Sequence, residues 1–199
     1  MKSNCAKAQA EGCLSLIAFY YLLRVGEYTK PKTVRCNGVL TRATRTQSFT
    51  INNIGFFKKG KTVSRRSPLK LLLTCDAATL KLDNQKNGRM GGTIHQEAIN
   101  KACCPVKALA YRVNHILTHG GKDDSLLCTY YVTRKKKSSC KHITSTDIIK
   151  TVRTATKVLK LAKHAIDPDL VGAHSLRAGG AMALKLHGYD DTTIMKVGR

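Results

Sequence analysis

His174 and Arg177 stand three residues apart in "GAHSLRAGGAM" (172–182). On a helix that spacing puts an imidazole and a guanidinium on one face. Such a pair can converge on a phosphate, the guanidinium as a forked charged donor and the imidazole as a hydrogen-bond and proton partner. Gly179 and Gly180 follow at once, although a glycine inside a helix costs about 1 kcal/mol relative to alanine. They would let a neighbouring backbone pack close to this helix, or only relieve crowding in the core. Two more islands hold chemistry-bearing residues: "LLRVGEY" with Arg24 and Glu27, and the Asn87-Gly88 step with Lys86 beside it. Each also has a structural reading. Arg24 would offset the dipole at a helix C-terminus, Lys86 would be solvated beside a turn, and His174 with Arg177 would hold a loop.

The elements that must position these residues follow from periodicity. Leu14, Ile17, Ala18, Tyr21 and Leu22 recur at helical spacing and predict a buried helix over 12–24, closed by Gly26 and Pro31 in "VGEYTKP". The stretch 48–66 is β-prone and broken by glycines, and 69–74 is a short apolar run. Two short runs flank Asn87-Gly88, the strongest local signal for a tight hairpin. Pro105 opens a helix whose stripe is Val106, Leu109, Ala110, Val113, Ile116 and Leu117, ended by Gly120. "CTYYVTRKKKSSC" reads as a basic loop. Residues 145–165 form an amphipathic helix with Ile148, Val152, Ala155, Leu159 and Ala162 inward, broken at Asp167-Pro168. The expected fold is α+β and mostly helical, one domain over 1–199 with a small antiparallel sheet.

Charge narrows the class. The chain carries 35 Lys+Arg against 12 Asp+Glu, a net charge of +23 and a pI near 10.0. Self-repulsion of that size suits a polyanionic partner, nucleic acid first. An anionic membrane surface, an extracellular polyanion and ribosomal-type RNA are the competing partners. "KKGK" (Lys58, Lys59, Lys61), Arg65, Arg66 and the run Arg134, Lys135, Lys136, Lys137 are natural phosphate contacts, which position without reading sequence, or else solvated surface charge. The eight cysteines are scattered without a CxxC pair, as expected of free thiols in a reducing compartment. His115, His119, Cys140 and His142 lack the close-spaced ligand pairs of a zinc site, so no metal and no other cofactor is expected. The longest apolar run, 13–23, is too short to span a bilayer, and with nucleic acid preferred over a membrane surface no membrane partner is expected. Glu11 ahead of that run, and the lack of a small-residue cleavage site after it, argue against a secretory signal. An intracellular protein is expected, nuclear if eukaryotic.

Taken together, the three islands resemble the catalytic domain of tyrosine recombinases, the phage-integrase family. The resemblance rests on Leu23-Arg24-Val25-Gly26-Glu27 at the end of an early helix and on Lys86 in a hairpin. It rests also on His174-x-x-Arg177 and on the glycine of "IMKVGR" after the next helix. It covers about residues 11–199, and the Ala-Gly-Gly after Arg177 looks closest to recombinases of eukaryotic mobile elements.

The resemblance implies metal-free phosphoryl transfer on double-stranded DNA, in DNA recombination and integration. A tyrosine attacks the phosphodiester, giving a 3′-phosphotyrosyl link and a free 5′-hydroxyl. It assigns Arg24 and Arg177 to the charge building on the non-bridging oxygens. Lys86 becomes the general acid for the leaving 5′-oxygen, and His174 a phosphate and proton-transfer partner. Glu27 orients an arginine. Arg199 falls where the family usually has His or Trp. By family spacing the nucleophile lies roughly ten residues beyond Gly198, and none of the seven tyrosines fits. The family's N-terminal DNA-clamping domain is also unmatched. The 199 residues alone are therefore expected to bind DNA without cleaving it, and to form the family's tetramer on DNA only at full length. The alternative is a non-catalytic basic nucleic-acid-binding protein derived from a degenerate recombinase. An unrelated RNA-binding protein would leave Arg24, Lys86, His174 and Arg177 apart in space.

Overall fold

The computed structural model describes residues 2–36, 39–42, 47–83, 91–134 and 137–198. Helix α1 spans Lys2–Tyr20, ten residues more at its start than the apolar spacing predicts. Its first half has no apolar stripe, and Ala6, Ala8 and Ala10 among Lys, Gln and Glu supply intrinsic helix propensity instead. From Ala10 onward the helix runs through the core, with Leu14, Ile17 and Ala18 fully buried.

The C-terminal end of α1 also differs from expectation. The helix stops at Tyr20, and Leu22 turns left-handed at φ 50°. The Leu23 N–H then reaches back to the Ala18 carbonyl at 3.0 Å. This closure is usually given to glycine, because a Cβ there costs roughly 1–2 kcal/mol. "VGEY" is no tail of α1: it forms a separate one-turn helix, α2 (Val25–Tyr28), with Arg24 at its N-cap.

Strands β1 (Thr33–Cys36) and β2 (Val39–Arg42) pair as a small antiparallel ribbon. A 3-10 turn at Ile51–Asn53 leads into β3 (Ile54–Lys58), which turns through Lys59 and Gly60, both at positive φ, into β4 (Lys61–Val63). The apolar run 69–74 gives a single helical turn, α3 (Leu69–Leu72). Strands β5 (Ala77–Leu82) and β6 (Gly92–Glu97) complete an antiparallel four-stranded sheet in the order β4-β3-β5-β6. The hairpin expected around Asn87-Gly88 is present as strands, in register from Ala77↔Glu97 to Leu82↔Gly92. The Asn-Gly step and Lys86 lie outside the described residues.

Helix α4 (Pro105–Thr118) has Pro105 in its first turn, as read, and is followed by Gly120 at positive φ. Its buried Arg112 donates to the carbonyls of Leu127 and Thr129. The stretch read as a basic loop is a hairpin, β7 (Thr129–Arg134) and β8 (Lys137–His142). Its lysines mask an alternation in which Tyr130 and Val132 are buried and Thr133 is exposed. Helix α5 (Ser145–Val158) starts on a Thr144–Asp147 capping box. Its inward stripe fails after Val152: Ala155 is exposed and Leu159 is 63% exposed. Left-handed residues at Lys160 and Ala165 end the helical path. Helices α6 (Ala173–Leu186) and α7 (Asp191–Gly198) close the chain.

The fold class is thus α+β with a small antiparallel sheet. One core cluster joins α1, α4, the inner face of the sheet and β7. The sheet is fastened to the C-terminal end of α1: Gln96 Nε2 donates to the Tyr20 carbonyl at 2.8 Å, and the Tyr21 hydroxyl donates to the Ala78 carbonyl at 3.1 Å. The end of the β5–β6 pair that carries Ala78 and Gln96 is therefore anchored at the end of α1.

Candidate functional site

The Arg24 turn is built from its own backbone. Glu27 is 2% exposed and receives the Arg24 N–H on Oε2 at 2.7 Å, while Arg24 Nη1 lies 3.5 Å from Oε1. Burying a carboxylate is costly unless such partners are present. Around it, the Phe49 N–H binds the Glu27 carbonyl at 2.7 Å, and the Ser48 hydroxyl binds the carbonyls of Gly26 and Thr29. These contacts fix α2, and the Arg24 side chain remains about a quarter exposed (27%).

Helix α6 crosses directly over this turn, and Gly180 explains how. A Cβ at Gly180 would overlap the Phe19 carbonyl and stand 2.6 Å from Leu22 Cδ2. Gly180 thus lets α6 rest on the last turn of α1. Gly179 is different, since a Cβ there meets only the Phe19 ring at 3.5 Å. The close approach brings Arg177 inward. Its Nη1 donates to the Leu22 carbonyl at 2.7 Å, and its Nη2 donates to the Gly198 carbonyl. Gly198 of "IMKVGR" thus meets Arg177 of "HSLRAGG", at a buried position where a Cβ would lie 3.5 Å from Nη2.

The electrostatics match this convergence. Burial pushes the Arg177 guanidinium below its ordinary pKa, the nearby Arg24 charge adds to the effect, and Glu27 opposes it. Arg24 pairs with the buried Glu27 carboxylate while Arg177, held by two carbonyls, feels both charges, so two guanidiniums lie near one carboxylate and leave an excess of positive charge suited to an anion.

The other residues singled out in the sequence fall as follows. His174 lies one turn before Arg177 on α6 and is exposed. No hydrogen bond to a described residue holds its ring. Lys86 and Arg199 lie outside the described residues. Tyr189 sits between α6 and α7, and Tyr130 is buried in β7. Sequence reasoning missed Tyr28, whose hydroxyl reaches the Ala173 carbonyl at 3.4 Å and ties α2 to the start of α6. It also missed Leu22, whose left-handed backbone presents a carbonyl to Arg177; no local pattern marks either contact.

The basic residues divide. Lys59 and Lys61 are exposed at the β3–β4 turn, and Lys58 Nζ donates to Thr74 Oγ1 at 2.9 Å. Arg66 pairs with Asp123 at 2.9 Å. Arg65 has an internal role: Nη1 donates to the carbonyls of Ile51, Asn52 and Ile54, and Nη2 to Asn52 Oδ1. Arg134 and Lys137 are the last paired positions of the β7–β8 hairpin, and Lys135 and Lys136 lie outside the described residues.

Of the residues weighed as zinc ligands, His115 uses Nε2 to accept the Tyr131 N–H at 3.1 Å, and the His119 ring stacks on Tyr131. Among the described residues no cluster of three His, Cys, Asp or Glu is placed to hold a metal ion, and no helix is long and apolar enough to cross a membrane. No family model, curated protein or solved structure matches the chain.

Proposed function

We propose that this chain is the catalytic core of a tyrosine recombinase, binding duplex DNA and holding one phosphodiester between Arg24 and Arg177 for strand exchange in recombination or integration. One observation carries the reading: motifs at 22–27, 172–180 and 194–198, far apart in sequence, meet at the end of α1. At that point Arg24 pairs with the buried Glu27, and Arg177 is close enough for its guanidinium to feel both charges.

In this reading the two arginines take the charge that builds on the non-bridging oxygens. Both are aimed in advance, Arg24 by Glu27 and Arg177 by two backbone carbonyls, so little reorganisation is needed when charge develops. His174, exposed beside them, hydrogen-bonds the phosphate. Lys86, from the hairpin anchored at the same end of α1, protonates the leaving 5′-oxygen. The attacking tyrosine belongs roughly ten residues beyond Gly198 by the family's spacing. Bond energy is stored in the phosphotyrosyl link, so rejoining requires no nucleotide cofactor.

The test is duplex binding by fluorescence anisotropy across a salt series, with orthovanadate as a mimic of the reacting phosphate. Binding that weakens steeply with salt, and vanadate affinity lost in Arg24→Gln and Arg177→Lys, support the reading. Binding indifferent to salt, or vanadate affinity indifferent to both substitutions, overturns it.

A further inference from the structure

We infer that Arg153, on α5, is a positioning residue for His174; the inference rests on the phosphate-site reading above. The segment that delivers α6 to the site has little apolar anchoring. Residues 162–167 are exposed, and Leu170 is 84% exposed. Local turns join Asp167 to Asp169 and Leu170, and Pro168 to Val171. These shape the segment without attaching it to the rest of the molecule. The attachment comes from Arg153. Its Nε donates to the Val171 carbonyl at 3.0 Å and its Nη2 to the Asp169 carbonyl at 2.5 Å. One planar fork thereby fixes two carbonyls two residues apart, a geometry that a guanidinium satisfies and an ammonium does not.

The grip falls immediately before the site. Gly172 follows as the N-cap of α6, its N–H bound to Ser175 Oγ at 3.1 Å, and His174 lies in the first turn. Arg177, one turn on, has its own attachments to Leu22 and Gly198. The His174 ring has none among the described residues, so its place depends on where the backbone of α6 begins. Tyr28 holds Ala173 from the α2 side, and Arg153 holds Asp169 and Val171 from the α5 side. Arg153 also faces Asp169 Oδ1 at 4.0 Å, which Lys157 shares at 3.8 Å. The rival role is therefore that of a surface charge contacting DNA.

Arg153→Lys and Arg153→Ala in the full chain separate the two, with Arg177→Lys as the control. Two readouts are followed by NMR: amide hydrogen exchange over Val171–Ser175, and the affinity for inorganic orthovanadate sensed at the His174 ring. The expected result is faster exchange confined to this segment in both variants, with vanadate affinity falling about tenfold or more, as misplacement of a reactive group predicts. Duplex affinity and its salt dependence stay unchanged. Restoration of both readouts by lysine, or unchanged exchange, overturns the positioning role while leaving the phosphate site intact. Failure of vanadate to perturb His174 in the unmodified chain, with Arg177→Lys equally silent, overturns the phosphate site and the positioning role with it, whatever the exchange data show.

Discussion

Arg177 Nη1 donates to the Leu22 carbonyl across 155 residues of sequence, at 2.7 Å. The acceptor belongs to a residue held left-handed at φ 50°, so the strained turn after α1 and the second arginine of the site form one unit. The same guanidinium binds the Gly198 carbonyl, which makes Arg177 a structural tie as well as the proposed phosphate ligand.

Arg177→Ala should therefore lower stability as well as phosphate affinity. Charge-assisted hydrogen bonds contribute about 1.5–3 kcal/mol each, so a loss of that order is expected in urea unfolding. Arg177→Lys should fall between the two. An unchanged urea midpoint for the alanine variant would show that the tie carries no energy.

The adjacent glycines of α6 should respond oppositely to alanine. Gly180→Ala forces a methyl against the Phe19 carbonyl and Leu22 Cδ2, a backbone overlap that costs about 1–3 kcal/mol. Gly179→Ala makes only an ordinary contact with the Phe19 ring and gains up to about 1 kcal/mol of helix propensity. Thermal unfolding of the two variants decides the matter, and equal effects would refute the assigned packing.

Much of this was legible in the sequence, and the reasons for success and failure are physical. Helix α4 followed from its stripe and Pro105, and the strands flanking Asn87-Gly88 paired as their turn signal required. The β7–β8 hairpin was hidden because its lysines outweigh a short alternation of Tyr130, Val132 and their neighbours. The second half of α5 was overread: Ala155 and Leu159 recur at the right spacing, but no described element covers them. The islands around Arg24 and His174 were visible from residue type alone. The close packing was legible in the Gly179-Gly180 pair, and Gly180 provides it; the ties of Arg177 to Leu22 and Gly198 were not, because both acceptors are backbone carbonyls that no side chain marks.

Acid should weaken the fold through His115. Burial, reinforced by the Arg112 charge and then by His119, pushes its imidazole down to about 4. The unfolded chain binds this proton near the ordinary value of about 6.5, so it holds more protons than the folded chain between the two values. Stability contributed by neutral His115 is complete above about 6.5 and is lost as pH falls towards 4. Urea midpoints at neutral pH and near pH 4.5 should converge more in His115→Gln than in the parent, and an identical acid response in both would remove His115 from the account.

The basic residues should separate by experiment as they do by geometry. Lys61→Ala, at an exposed turn, should reduce the salt dependence of duplex binding by about one phosphate contact and leave stability untouched. Arg65→Ala should do the reverse, lowering the unfolding midpoint because three carbonyls lose their shared donor. Matching behaviour of the two variants would contradict the assignment.

The resting of α6 on α1 also sets an order of events during synthesis. A chain made from its N-terminus has α1, the Leu22 turn and the Arg24–Glu27 pair in place well before Gly180 and Arg177 emerge. Closing so large a loop carries an entropic cost that grows only slowly with length, but contacts this distant in sequence form late. Until then the Phe19 carbonyl and Leu22 side chain under Gly180 lie uncovered, and the Arg24–Glu27 pair stands without the Arg177 charge. The proposed phosphate site therefore exists only once α6 has emerged, and a chain released before α6 should fold much of its core yet lack the second guanidinium.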